Sequence, residues 1–262
     1  MGKQRILKKG AFEMKVITII NQKGGVAKTT TSQNLSYGLV KKGYKVLCID
    51  LDSQQNLSYI TKASNNYKSI FEVLSNKADI NETIQTIDNL DFIRASENLS
   101  IIDTVLYSTG KEFKLKEKIE ELKKKYDYII IDTAPALNIL TINALVASNE
   151  LIITALADIL SFQGITNLIE TIETIRKYCN AKLKIKGILL TKYNERLSLN
   201  KELLQSFESL AKTNKTKIFK TKIRESIAVR ESQANRQPII YYAKNNNASI
   251  DYDNFTKEFL KD

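Results

Sequence analysis

The stretch from Lys15 to Asp50 constrains the fold more than any other. "KVITIIN" (15–21) is a short, β-branched and nearly continuous apolar run, the pattern of a strand covered on both faces. A glycine pair follows in "QKGGVAKTT". The next segment, "TTTSQNLSYGLVKKG", carries Leu35 and Leu39 on one helical face and stops at Gly43. "YKVLCID" (44–50) is a second apolar run. Strand, loop, helix and strand in about 35 residues form a βαβ unit, whose strands run parallel with a right-handed crossover.

Beyond a less regular middle, the alternation resumes. "KEFKLKEKIEELKKKY" places Phe113, Leu115, Ile119 and Leu122 near one side of a charged helix, and "YDYIIID" (126–132) reads as a strand. Next come a helix in "LNILTINALVASN", a strand at 150–156, a helix in "FQGITNLIETIETIRKY", a strand in "LKIKGILLTKY" and a helix in "NKELLQSFESLAKT". The expected class is α/β, with a doubly wound, mostly parallel sheet and helices on both faces. Ligands of such sheets bind beyond the carboxyl ends of the strands. Residues 21–29, 50–56 and 132–138 are therefore the segments in which to look for chemistry.

The chain has 262 residues, 43% of them hydrophobic, and only two prolines, with no linker-like stretch or repeat. One domain over 14–262 is expected, preceded by a basic extension over 1–13. No apolar run approaches the length of a membrane span, and the N-terminus lacks an apolar export core. Cys48 and Cys179 match no metal spacing or disulfide framework, which points to free thiols in the cytoplasm. The formal charge is +11. Between Arg176 and Arg236 there are 16 basic and 5 acidic residues, so one C-terminal third holds the whole excess. A polyanion-binding face is expected there.

The three strand ends carry complementary chemistry. Gly24 and Gly25 allow close approach of an anion to the backbone, the following helix offers unpaired N–H groups, and Lys28 adds a charge. Thr29 supplies a hydroxyl suited to Mg²⁺ beside a phosphate. Asp50 and Asp52 lie two apart, so at a strand end they can converge on one cation, while Asp132 ends a very apolar strand. One lysine-threonine pair and three carboxylates at the ligand edge suit Mg²⁺ and a nucleoside triphosphate.

"KGGVAKTT", "IDLDSQQN" and "YDYIIIDTAPALNILTINAL", in this order and spacing, resemble the deviant Walker A ATPases of the ParA/MinD superfamily, and most of all the ParA-type DNA-partition ATPases. The likeness runs from Met14 through "FQGITNLIETI", "GILLTKYN" and "IRESIAVRESQANRQPIIYYAK". It implies ATP and Mg²⁺ as cofactors and slow, partner-stimulated hydrolysis. Lys23, Gly24, Gly25, Val26, Ala27, Lys28, Thr29 and Thr30 would bind the nucleotide. Lys28 would hold the β- and γ-phosphates, and Lys23 would reach across an ATP-bound homodimer to the phosphates of the other subunit. Thr29 would ligate Mg²⁺, Asp132 would hold it through water, Asp50 would support the metal shell, and Asp52 would position the attacking water.

Two positions depart from the family pattern. Ala27 stands where most relatives have glycine, and if its φ is positive alanine costs about 1 kcal/mol. Arg224 replaces a proline that many relatives place near adenine.

Within the superfamily the residues favour partition. The two cysteines are not placed to bridge an iron–sulfur cluster, and no helix-turn-helix domain is expected ahead of the first strand. The tail "SIDYDNFTKEFLKD" has mixed charge, so stable membrane association is not expected; a MinD-like positioning ATPase on a membrane or other surface is the alternative. The resemblance implies nonspecific binding to double-stranded DNA, release by a ParB-like centromere-binding partner, and a nucleoid-associated cytoplasmic location. Lys215, Lys217, Lys220, Lys222, Arg224, Arg230 and Arg236 are the candidate DNA contacts.

Overall fold

A computed structural model describes residues 13–122, 125–195 and 197–261. All of the 1–13 extension except Glu13 lies outside these residues.

In chain order, β1 (Lys15–Ile20) leads to helix α1 (Lys28–Lys41) and β2 (Val46–Asp50). The irregular middle holds the short helices α2 (Asn56–Ile60) and α3 (Ile70–Leu74), the strands β3 (Gln85–Ile87) and β4 (Leu90–Ile93), and helix α4 (Ile102–Val105). Next are α5 (Lys114–Glu120), β5 (Tyr128–Asp132), α6 (Ile139–Ala147), β6 (Glu150–Ala155) and α7 (Ile159–Tyr178). The last part comprises β7 (Lys184–Tyr193), α8 (Ser198–Thr213), β8 (Ile223–Arg224), α9 (Ile227–Ala234), α10 (Ile239–Tyr242) and α11 (Asn247–Phe259).

Among the described residues the strands form one sheet in the order β3-β4-β2-β5-β1-β6-β7-β8. All neighbours are parallel except the β3–β4 hairpin at one edge. β1 lies between β5 and β6, so the chain leaves it at a switch point, where a cleft opens above the carboxyl ends. Alternate residues of β5 serve opposite layers: Ile129 and Ile131 pack with α3, α5 and α6, whereas Tyr128 and Ile130 pack with α1 and α11. A third apolar layer joins β6 and β7 to α7 and α8.

The charged helix expected across 111–126 is shorter than its pattern. A 3₁₀ turn occupies Lys111–Phe113, and α5 ends at Glu120. Helix α1 departs in another way, because its polar residues are buried along with Leu35 and Leu39. The polar groups find internal partners: Ser36 bonds the Ser32 carbonyl, Gln33 the Ile60 carbonyl and Asn34 the Thr30 carbonyl. Behind α1, Tyr252, Phe255 and Phe259 of α11 are buried, so the aromatic residues of the tail belong to the core.

Candidate nucleotide site

The turn after β1 is shaped by residues on both sides of the glycine pair. Asn21 donates to the Thr154 carbonyl at 2.6 Å and accepts the Lys23 N–H at 2.8 Å, which ties the loop to β6. At the other end, Ala27 has φ 60° and ψ 30°, the left-handed conformation suspected from sequence. It precedes α1, which has no side-chain cap and no acid in its first turn. The helix thus presents backbone donors and its positive dipole end to the cleft.

A cavity of about 510 Å³ opens over this turn. Gly24, Gly25, Ala27, Lys28, Thr29 and Thr30 line one wall, with Asp52 and Pro135 from the neighbouring strand ends. Val26 lies beneath, fully buried, and its carbonyl accepts the Thr191 hydroxyl at 3.2 Å. Lys28 is buried and donates to the Lys23 carbonyl at 3.0 Å. Burial lowers its pKa, while the charges of Asp132 and Asp52 act in the opposite direction.

Asp50 and Asp132 are register partners on β2 and β5, both fully buried. Burial, reinforced by the Asp50 charge and opposed by hydrogen bonds from Ser32 and Thr29, raises Asp132 to about 7. Burial likewise raises Asp50, to about 6. Asp132 accepts the Ser32 hydroxyl on Oδ1 at 2.8 Å, whereas its buried Oδ2 has no hydrogen-bond partner. A raised, half-satisfied carboxylate beside Thr29 fits a hydrated divalent cation.

Asp50 is held by donors of its own chain. Its Oδ1 accepts the Asp52 N–H at 3.0 Å, and its Oδ2 accepts both the N–H and the hydroxyl of Ser58, at 2.8 and 2.7 Å. Both oxygens of Asp50 are thus engaged by protein donors. Asp50 organises the loop that carries Asp52, while Asp52 itself lines the cavity and accepts the Gln54 N–H at 3.0 Å. Among the described residues no cluster of three or more His, Cys, Asp or Glu side chains forms a metal cage. Thr29 and Asp132 would hold a cation together with phosphate oxygens.

Lys23 sits at the rim. Its ammonium bridges both carboxylate oxygens of Asp158, at 3.0 and 2.8 Å, and approaches Ser161 at 3.4 Å. Asp158 also caps α7 by accepting the Ser161 N–H at 2.7 Å. Partial burial alone would raise its pKa, but Lys23 and Ser161 outweigh this and hold it below the usual carboxylate range. In the single chain, then, Lys23 is folded onto its own subunit. Leu137, Ile159 and Leu160, from the segments that carry Pro135 and Asp158, are exposed apolar residues.

Two residues of the basic stretch have partners within the fold. Arg224 makes a two-pronged contact with Asp251, at 2.9 and 2.7 Å, and Arg236 lies 4.7 Å over the Tyr59 ring while donating to the Tyr59 carbonyl at 2.7 Å. These two are committed within the fold, which their spacing in sequence did not reveal. Arg230 is 77% exposed and 3.5 Å from Glu225, and with Arg224 it lines the nucleotide cavity. Lys215, Lys217, Lys220 and Lys222 follow the β7–β8 edge, with Lys217 over Phe219 and Lys222 over Tyr193.

Sequence reasoning missed Asn21, Ser32, Ser58 and Asp158. Only Asp158 carried a local signal, an aspartate immediately before a helical run.

A family model described as an AAA domain matches residues 14–185. The sporulation initiation inhibitor protein Soj of Bacillus subtilis is 36% identical over 250 residues, covering 93% of this chain and 97% of Soj. The chromosome partitioning protein ParA of Caulobacter vibrioides is 31% identical over 239 residues, 88% of each chain. Cobyrinic acid a,c-diamide synthase of Mycobacterium smegmatis, solved with an ATP analogue and magnesium, superposes with a TM-score of 0.82 at 26% identity over 95% of each chain.

Proposed function

The chain belongs to the ParA/MinD-type ATPases, and on that premise we propose that it is a DNA-partition ATPase that binds Mg²⁺ and ATP, pairs with a second copy, and cycles on and off DNA as it hydrolyses the nucleotide. The observation that supports this reading is Lys23 at the rim of the glycine turn, held on Asp158, the residue directly before the exposed Ile159 and Leu160. A cation at that rim, flanked by apolar surface, suits a second nucleotide-loaded copy of the chain.

The site's own residues account for the chemistry. The loop N–H groups, the start of α1 and Lys28 grip the phosphate chain, and their fixed charges suit the negative charge that spreads over the transferred group. Asp52 orients the attacking water; Asp50 holds it there through the Asp52 N–H, with Ser58 fixing Asp50 in turn. Mg²⁺, held by Thr29 and by Asp132 through water, supplies charge neutralisation when bound.

In the dimer Lys23 leaves Asp158 for the partner's phosphates, which makes pairing depend on nucleotide state. Hydrolysis is slow and is stimulated by a ParB-like centromere-binding protein, which frees the ATPase from the nucleoid and so segregates a plasmid or chromosome in the cytoplasm. Lys215, Lys217, Lys220, Lys222 and Arg230 remain the candidate phosphate contacts to DNA. What favours partition over the membrane alternative is that α11 buries its aromatic residues in the core.

The test is binding to random-sequence duplex DNA with a slowly hydrolysed ATP analogue, with ADP and without nucleotide. Tight, salt-sensitive binding in the first case alone is expected; equal binding in all three would refute the proposal.

A further inference from the structure

The cavity wall includes a residue from far along the chain. Gln233 of α9 lines the nucleotide cavity and donates from Nε2 to the Thr30 hydroxyl at 3.0 Å, across 203 residues of sequence. Thr30 stands in the first turn of α1, directly after Thr29, and is itself buried at the cavity wall.

A hydroxyl has a single proton to give. Because Thr30 Oγ1 accepts from the Gln233 amide, its proton is available to a different acceptor, and the cavity it faces is the one that suits anionic phosphate. The Thr31 hydroxyl, by contrast, pairs with the buried Tyr252 hydroxyl at 3.2 Å. The amide is itself held in place. Ser226 caps α9 at its start, and after its end Arg236 clamps the Tyr59 carbonyl and ring on α2. That short helix also carries Ser58, the partner of Asp50. Helix α9 thus bridges the two loops that read the nucleotide.

We propose that Gln233 is a positioning residue for nucleotide binding: by donating to Thr30 it orients that hydroxyl to donate to a phosphate oxygen. The inference rests on the nucleotide-binding reading above.

The test is a double-mutant cycle on the full chain, with ADP in the presence of Mg²⁺ as the probe and calorimetric Kd as the readout. Gln233→Leu should weaken ADP binding about tenfold, the scale of one hydrogen bond to a charged group. In a Thr30→Val background the same change should alter Kd less than about twofold, since the hydroxyl through which it acts is gone. Gln233→Glu keeps the shape but can only accept, so it should capture the Thr30 proton, add a negative charge beside the phosphates and weaken binding further than Gln233→Leu.

Wild-type affinity in Gln233→Leu, losses that multiply independently in the double variant, or wild-type affinity in Gln233→Glu would each overturn the inference while leaving the nucleotide reading intact. A wild-type chain that binds no ADP would overturn both.

Discussion

Replacing Ala27 with glycine should stabilise the protein, and the structure sets the size of the effect. Ala27 sits at φ 60° and ψ 30°, where the Cβ of an L-residue crowds the backbone. That conformation costs a residue with a side chain roughly 1–2 kcal/mol. Glycine removes the crowding but gives the unfolded chain more freedom, which takes back about 0.4–1 kcal/mol. The net gain for Ala27→Gly is therefore about 0.5–1 kcal/mol, or roughly 1–4 °C in Tm for a chain of this size. Thermal and urea unfolding without nucleotide would measure it. Ala27→Val provides the opposite arm, because a β-branched residue tolerates the left-handed region less well and should lower Tm. If Ala27→Gly is less stable than wild type, the loop is not strained at this position and the reasoning fails.

Other outcomes follow from the same geometry. Asp158→Asn removes the pair that holds Lys23 in its own subunit; with both groups about one-third exposed, dimerisation with a slowly hydrolysed ATP analogue should tighten only about two- to fivefold, read by sedimentation. Gly187→Ala would place a Cβ 2.7 Å from the buried Phe219 ring and should cost roughly 1–3 kcal/mol in urea unfolding. Without ligand, stability should fall as pH rises. Asp50 and Asp132 titrate near 6 and 7 in the folded chain and near the ordinary carboxylate value when unfolded, so between about pH 4 and 7 the folded state holds more protons. Asp132→Asn should flatten that slope in thermal melts taken from pH 5 to 8.

The parts of this protein that were readable in the sequence are those with a local signature. The apolar runs of β1, β2 and β5 and the glycine pair ahead of Lys28 located the cleft, because strand ends are set by neighbouring residues in the chain. Asp132 and Asp52 followed from the same rule. The short elements were not readable: β3 has three residues and β8 two, too few for a period to show.

Contacts between distant segments were equally silent. Lys23 meets Asp158 across 135 residues, and nothing near either one announces the pair. The same holds for Arg224, which looked like free positive charge until Asp251, 27 residues later, closed around it. The partners of Asp50 were not legible because alternation on an extended strand says which way a side chain points, but not which donors wait there. Ser58 and the Asp52 amide occupy both of its oxygens.

The central claim concerns assembly, and mass measured by sedimentation equilibrium tests it most directly. With Mg²⁺ and a slowly hydrolysed ATP analogue the wild-type chain should sediment at twice the monomer mass, with ADP or no nucleotide as a monomer, and Lys23→Ala as a monomer in every case. A wild-type monomer saturated with the analogue, or a Lys23→Ala variant that pairs as readily as wild type, would contradict the account.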